Sequence, residues 1–158
     1  MKNNFLINHD DYAFRIYCNH VAEMSNCLTL RGDGNYLNIC HDMITGNIVY
    51  IEGTVIENIL NENFNLPDFR DIKNLELTTG AFSFYLKNEI SSFMLNLDNN
   101  ELNIILKNNI NPKHYFVDGR VEYYYDSKFN LIYVKVVNLT EEEKKYFNCF
   151  ISSNNMVK

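Results

Sequence analysis

Apolar residues occupy alternate positions in three runs near the middle of the chain. The runs are Phe82, Phe84, Leu86; Phe93, Leu95, Leu97; and Leu102, Ile104, Leu106. Such alternation is typical of strands that are buried on one face. The dipeptides Asn88-Glu89 and Asn99-Asn100 separate the runs, and asparagine tolerates the positive φ that favoured hairpin turns require. The pattern therefore predicts a three-stranded antiparallel meander between residues 81 and 106.

Two-residue turns at these dipeptides bring the apolar residues together. They pair Leu97 with Leu102, Leu95 with Ile104, Phe93 with Leu106, and Phe84 with Phe93. All of these apolar residues then lie on one face of the sheet, and a slip by one residue would turn a strand's apolar set to the other face. The same register sets Asp98 opposite Glu101, a like-charge pair that costs up to roughly 1 kcal/mol.

A second hairpin is predicted around Asp33-Gly34, a dipeptide favoured in two-residue turns. Its register pairs Leu30 with Leu37, Leu28 with Ile39, and polar Thr29 with polar Asn38. Further strands are predicted at 12–18, 48–52, 75–77, 114–117, 121–125 and 132–136, from alternation and flanking turn residues. Gly53 interrupts the strand at 48–52, and we expect it to mark a bulge or a sharp bend.

The chain ends in a predicted helix at about 140–151. Thr140 is the candidate N-cap, and Glu143 completes a capping box three residues later. Residues 56–71 have mixed spacing and are predicted to form an irregular excursion. Together these features predict one domain, residues 1–158, that is mainly β: an antiparallel meander of about eight to ten short strands, curved or partly closed, with a C-terminal helix packed on it.

The charge balance disfavours direct binding to nucleic acid. The 158-residue chain carries 14 basic and 20 acidic residues, for a net charge of −6, and phosphate contacts need clustered lysine and arginine. A basic protein partner suits this balance better. The apolar run near the N-terminus is too short for a signal peptide, and no stretch has the roughly 20 apolar residues of a membrane helix. We therefore expect a cytoplasmic protein without a membrane partner.

The reactive residue types form no recognisable catalytic or metal-binding motif. The four cysteines, Cys18, Cys27, Cys40 and Cys149, include no C-x-x-C pair, and in a reducing compartment we expect free thiols and no disulfide. His9 and His41 each precede an aspartate, but no histidine has zinc-ligand spacing. No G-x-S-x-G elbow or glycine-rich phosphate loop is present. The sequence thus predicts no catalytic residues, no metal and no cofactor.

The candidate binding residues lie on and beside the strand at 121–125. Alternation places Glu122, Tyr124 and Asp126 on one face of this strand, and Asp118 lies nearby in sequence. Tyrosine is enriched at binding hot spots, and carboxylates suit a basic partner. The strand that follows sets Lys135 opposite Glu122, which predicts a modest cross-strand attraction. We predict that the four residues form an exposed, partner-binding surface, the competing interpretation being a solvated outer face of the sheet.

In small size, acidity, content of asparagine and tyrosine, and lack of catalytic motifs, the chain resembles bacterial toxin-immunity proteins, including those of contact-dependent inhibition systems. The resemblance is one of style and transfers no residues. It implies a non-catalytic protein that neutralises a toxin domain, often a basic nuclease, with an acidic surface. Two alternatives stay open: a small-ligand-binding β-barrel lined by aromatic residues, and a small hydrolase or nuclease that uses His9, His41 or His114.

Overall fold

The described part of the chain folds into two β-sheets and a helix. The computed structural model describes residues 3–11, 13–18, 24–32, 34–44, 48–55, 59, 67–74 and 92–151. The N-terminal sheet contains β1 (Phe5–Asn8), β2 (Ala13–Tyr17), β3 (Ser25–Gly32), β4 (Asn35–Asp42) and β5 (Ile48–Thr54). The C-terminal sheet contains β6 (Lys73–Asn74), β7 (Met94–Asp98), β8 (Glu101–Ile105), β9 (His114–Asp118), β10 (Val121–Tyr125) and β11 (Leu131–Val136). The helix α1 spans Glu141–Asn148.

The predicted fold class is confirmed, and the arrangement of its strands is now specified. The strand orders are β1-β2-β5-β4-β3 and β6-β9-β10-β11-β8-β7; the two-residue β6 pairs in parallel with β9, and the other pairs among the described strands are antiparallel. The strands thus form two sheets rather than one curved meander, and neither sheet closes on itself. Adjacent antiparallel strands need only short connections, which explains why most neighbours in each sheet are also close in sequence.

The apolar faces of both sheets contribute to one core. Its fully buried members from the N-terminal sheet include Phe5, Phe14, Ile16, Leu30, Leu37, Ile39 and Ile51; those from the C-terminal sheet include Leu102, Ile104, Val121 and Val136. Helix α1 adds Phe147, whose ring lies 6.2 Å from Phe5 and 5.8 Å from Phe14. Burial of each such side chain contributes about 1.5–3 kcal/mol relative to its exposure. A second, smaller buried cluster, Ile105, Tyr124, Ile132 and Tyr133, belongs to the C-terminal sheet and packs against Phe69 and Ile72.

The turn at Asn99-Asn100 has the predicted register. Leu95 lies opposite Ile104 and Leu97 opposite Leu102, and all four are buried. Asn99 has a φ of 50°, the positive value for which asparagine was expected. The predicted hairpin at Asn88-Glu89, with its strand at 82–86, lies outside the described residues.

The hairpin between β3 and β4 also has its predicted register. Leu30 pairs with Leu37 and Leu28 with Ile39. Thr29 donates a hydrogen bond of 2.7 Å from its hydroxyl to the side-chain oxygen of Asn38. The strands extend further than predicted, to Ser25 and Asp42.

Continuing this register brings two cysteines together, and the prediction of four free thiols is therefore wrong. Cys27 lies directly opposite Cys40, and a disulfide joins them with their Cα atoms 4.0 Å apart. Cys18 and Cys149 are thiols rather than disulfide partners. The prediction failed because it searched for C-x-x-C spacing, whereas cross-strand pairing makes neighbours of residues that are 13 positions apart.

Gly53 forms neither a bulge nor a bend. It continues regular pairing on both sides, opposite Phe14 of β2 and Leu37 of β4. A Cβ atom at this position would come within 2.2 Å of the Phe14 ring. The glycine is therefore needed for close packing rather than for a change of direction, and the irregularity in this pair of strands lies between Cys40 and His41.

Helix α1 begins as predicted and ends earlier. The Thr140 hydroxyl accepts from the Glu143 backbone N–H, and the Glu143 carboxylate accepts from the Thr140 N–H at 2.9 Å. The same carboxylate accepts from Arg120 at 2.6 and 2.7 Å, in an ion pair that is mostly buried. The helix ends at Asn148 rather than at about 151, with Cys149 as its C-cap, and Ile151 beyond it forms a parallel β-bridge with Ile59.

Candidate functional site

Glu122 and Tyr124 share the outer face of the C-terminal sheet, as their spacing predicted. The Tyr124 hydroxyl donates a hydrogen bond of 2.5 Å to the Glu122 carboxylate. Yet only 8% of Tyr124 is exposed, because its ring packs against Phe69 at 5.0 Å and Tyr133 at 5.2 Å. Burial, together with the neighbouring Glu122 carboxylate, holds the pKa of Tyr124 far above its ordinary value. Tyr124 is thus a packed side chain and offers little area to a partner.

The charge of Glu122 is compensated within the sheet. The Lys135 ammonium lies 3.9 Å from the Glu122 carboxylate and 3.6 Å from that of Glu101, and the Lys135 side chain is only 12% exposed. Its ammonium also lies 5.4 Å from the centre of the Phe69 ring. Lys135 therefore offsets the repulsion predicted between Asp98 and Glu101 by pairing with one of them.

Asp126 organises the loop that joins β10 to β11. Its carboxylate accepts from the Lys128 N–H at 2.8 Å, from the Asn130 N–H at 2.9 Å and from the Asn130 side-chain amide at 2.9 Å. Partial burial alone would raise the pKa of Asp126, but the hydrogen bonds from Asn130 and Lys128 outweigh it and lower that pKa. Because its carboxylate accepts three hydrogen bonds from its own loop, the main role of Asp126 is to stabilise that loop.

Asp118 does not share a face with Glu122. It lies opposite Val121 across the β9–β10 hairpin, whereas Glu122 lies opposite Val117. Directly paired residues point to the same side of a sheet. Asp118 therefore belongs to the side of the core residue Val121, and its backbone oxygen accepts from the Asn4 amide at 2.7 Å. The structure thus brings together two of the four predicted residues, and both are occupied by internal contacts.

The three histidines of the hydrolase alternative, His9, His41 and His114, do not converge on one site. His9 lies in the turn between β1 and β2, with its ring edge-on to Tyr146 at 5.2 Å. His41 is on β4 of the N-terminal sheet, and His114 begins β9 of the C-terminal sheet, where its ring stacks on Phe129 at 4.3 Å. Among the described residues there is no group of three or more His, Cys, Asp or Glu side chains that could hold a metal ion.

A different surface emerges on the outer face of the N-terminal sheet. Arg15 and Tyr17 of β2 lie opposite Glu52 and Tyr50 of β5, and Arg31 of β3 lies opposite Tyr36 of β4. We call the set Arg15, Tyr17, Arg31, Tyr36 and Tyr50 the tyrosine–arginine face. Tyr17 is 39% exposed and Tyr36 is 38% exposed, in contrast to the buried Tyr124. Tyrosine and arginine are the residue types enriched at protein interfaces.

Neighbouring groups hold the side chains of this face in place. Arg15 forms a direct ion pair with Glu52, and its guanidinium lies 4.9 Å from the Tyr50 ring centre and 5.8 Å from that of Tyr17. The Arg31 guanidinium lies 5.6 Å from the Tyr36 ring centre. Cation–π contacts of this kind contribute about 0.5–1 kcal/mol at exposed sites. Because the side chains are already ordered, a partner would lose less conformational entropy on binding them.

Sequence reasoning missed this face, although part of its signal was present. Arg15 and Tyr17 flank the core residue Ile16, and Tyr50 and Glu52 flank the core residue Ile51. Alternation around these two core residues is a signal that could have assigned the four residues to outer positions. What it could not supply was the pairing of β2 with β5, two strands that are far apart in sequence.

Comparison with models of known protein families finds no match, and comparison with curated proteins finds none similar to this chain. In the part of the chain that the structure describes, no helix has both the length and the apolar character needed to cross a membrane.

Proposed function

We propose that this protein is a non-catalytic binding module that recognises a protein partner through the tyrosine–arginine face. The observation that carries the proposal is the exposure of Tyr17 and Tyr36 on a sheet face whose arginines are held against aromatic rings. Tyrosine gives a large, rigid contact area at low entropic cost, and arginine gives directed hydrogen bonds. This combination is typical of surfaces that bind proteins.

The size of the face supports a macromolecular partner. Five strands spaced about 4.8 Å apart, and a strand of eight residues at about 3.4 Å per residue, give a surface of roughly 20 by 25 Å. With its rim, such a face approaches the area of about 800 Å² that one partner contributes to a standard protein–protein interface. A small molecule would cover only part of it.

The specific form of the proposal is neutralisation of a toxin domain, which is the role implied by the resemblance to immunity proteins. The net charge of −6 supports a basic partner, because opposite net charges speed association. The surface proposed to bind differs from the one predicted at Glu122 and Tyr124, since those two side chains are engaged with Lys135 and with each other.

A cytoplasmic location is part of this proposal, and it affects whether the disulfide is formed. A bond between Cys27 and Cys40 persists in oxidising compartments and is rare in the cytosol. The compartment in which the partner is met therefore decides whether the face carries the disulfide or two thiols beside Tyr50, whose hydroxyl lies 3.8 Å from the Cys27 sulfur.

The test uses proteins encoded beside the gene of this chain, purified and titrated calorimetrically against it. The double substitution Tyr17→Ala and Tyr36→Ala removes both exposed rings. It should raise the dissociation constant at least about tenfold, as expected for two hot-spot residues. Val117→Ala is the matched control, because Val117 is exposed on the other sheet. A partner that the double variant binds as tightly as the wild type would refute the assignment of this face.

Neutralisation is tested on the same partner. Its activity, whether nuclease or other, should be inhibited at equimolar concentration by the wild type and by Val117→Ala. The double tyrosine variant should inhibit only in excess. Binding without inhibition would leave the recognition proposal intact and refute the neutralising role.

A further inference from the structure

A groove adjoins the tyrosine–arginine face at its β1 edge. Its volume is about 670 Å³, and it opens to solvent. Outer-face side chains of β1, β2 and β5 line it, among them Leu6, Tyr17 and Thr54, and the turn between β1 and β2 closes one end with Asp10 and Asp11. Arg15 and Tyr17 belong both to the groove and to the tyrosine–arginine face, and Glu52 lines the groove and forms the ion pair with Arg15. A partner that covers the face would therefore also cover the groove.

The groove carries an excess of negative charge. Among its described lining residues the carboxylates are Asp10, Asp11 and Glu52, the arginine is Arg15, and His9 lies next to Asp10 in the turn. Arg15 and Glu52 compensate each other in their ion pair. Asp11 accepts from the neutral Asn8 amide at 2.6 Å, and within the described ranges neither Asp10 nor Asp11 has a cationic partner. The uncompensated charge therefore lies at the end closed by the turn.

The walls provide a path for an aliphatic chain. Leu6 is 48% exposed although it is large and apolar, and the Tyr17 ring lies on the adjacent strand. Long basic side chains pack their methylene groups along such surfaces while their charged ends reach polar groups. An exposed leucine beside two carboxylates suits a side chain with an aliphatic stem and a cationic end.

We propose that this groove receives an arginine or lysine side chain of the protein partner. The inference rests on the proposed function for the existence of that partner and adds the chemistry of one anchoring contact. The proposal explains why a surface that contains arginines can bind a basic partner. The arginines of the tyrosine–arginine face contact neighbouring tyrosine rings and Glu52, whereas the uncompensated negative charge lies at the groove. A basic partner, such as the acidity of the chain favours, supplies the missing cation.

The probe is N-acetyl-L-arginine amide, titrated into the isotopically labelled full-length chain and followed by amide chemical shifts. The control is N-acetyl-L-citrulline amide, which has nearly the same shape and no charge. We expect shifts at Leu6, Asp11 and Thr54, with a dissociation constant about fivefold lower for the arginine compound, as two exposed charge contacts imply. Equal affinities, tighter binding of N-acetyl-L-glutamate amide, or shifts confined to other surfaces would overturn the proposal.

Two variants test the charges directly. Asp10→Asn combined with Asp11→Asn should abolish the preference for arginine over citrulline, and Asp71→Asn, which removes an exposed carboxylate elsewhere, should preserve it. Persistence of the preference in the double variant would overturn the groove assignment. Failure of the groove assignment is distinguishable from failure of the proposed function. If the groove does not select arginine but the tyrosine variants lose partner binding, the tyrosine–arginine face is still supported. If the groove selects arginine but the tyrosine variants bind the partner normally, the groove assignment holds and the face is refuted.

Discussion

Cys27 on edge strand β3 and Cys40 on β4 are directly opposite each other and are joined by a disulfide. The bond closes a loop that includes the turn of the hairpin, with the cysteines 13 positions apart. Cross-linking a loop of this length restricts the unfolded chain and stabilises a protein by about 3 kcal/mol in the chain-entropy model. We expect a reductant to lower the free energy of unfolding by that order, measured by urea denaturation with and without the reductant.

The matched control for the disulfide is Cys149→Ser, because Cys149 is free and exposed. Its urea midpoint should equal that of the wild type in both conditions. Thiol titration of the urea-unfolded, unreduced chain gives an independent count, and two reactive thiols are expected rather than the four cysteines of the sequence. Four reactive thiols would contradict the disulfide.

Leu95 is predicted to be a major contributor to the core. It is buried opposite Ile104 in the β7–β8 hairpin. We expect Leu95→Ala to lower the free energy of unfolding by roughly 2–5 kcal/mol, because it removes buried methyl groups and leaves a cavity. Ile44→Ala, at a highly exposed position, should change it by less than about 0.5 kcal/mol. Equal thermal midpoints for the two variants would show that the apolar face is not a packed core.

Asp126 should make the stability depend on pH. Its pKa is lowered below the ordinary value of 3.8 in the folded protein, so the unfolded chain takes up a proton first as the pH falls. The stabilising contribution of this carboxylate is therefore fully present above that value and is lost as the pH falls through the lower folded pKa. The difference in unfolding free energy between wild type and Asp126→Asn should be largest at neutral pH and shrink below pH 3.8. A difference that grows on acidification would contradict this role.

Gly53→Ala should destabilise the N-terminal sheet, although alanine is less flexible than glycine. The added methyl group would overlap the Phe14 ring, which lies 2.2 Å from the position of the new Cβ. Overpacking of this kind costs about 1–3 kcal/mol. Phe14→Leu in the same chain should recover part of the loss, because it shortens the side chain that clashes. Additive effects of the two substitutions in thermal denaturation would argue against a direct contact.

The sequence predicted those features that depend on neighbouring strands. The registers around Asn99-Asn100 and between Leu30 and Leu37 followed from turn chemistry and alternation, and both are confirmed. The Cys27–Cys40 pair was implicit in the second register, one step beyond the last pair that was considered. Extending a trusted register to its full length would have found it.

The candidate site was predicted less well because burial depends on contacts that are distant in sequence. Alternation placed Tyr124 on the outer face, but nothing local indicated that Phe69 would pack on its ring. Likewise, Tyr17 and Tyr50 become neighbours only through the pairing of β2 with β5. Strand β1 was not predicted at all, since its short run from Phe5 to Asn8 has no distinctive turn signal.

The Glu143 carboxylate accepts hydrogen bonds from two elements. One comes from the Thr140 N–H at the start of helix α1, and the other from Arg120 at the end of the β9–β10 turn. The helix therefore cannot detach from the sheet while keeping this anchor. Nor can the turn rearrange around Arg120 without disturbing the cap. Helix α1 and the β9–β10 hairpin should consequently open as one cooperative unit. Backbone amides near Arg120 and near Glu143, more than twenty residues apart, should then exchange their hydrogens with common kinetics.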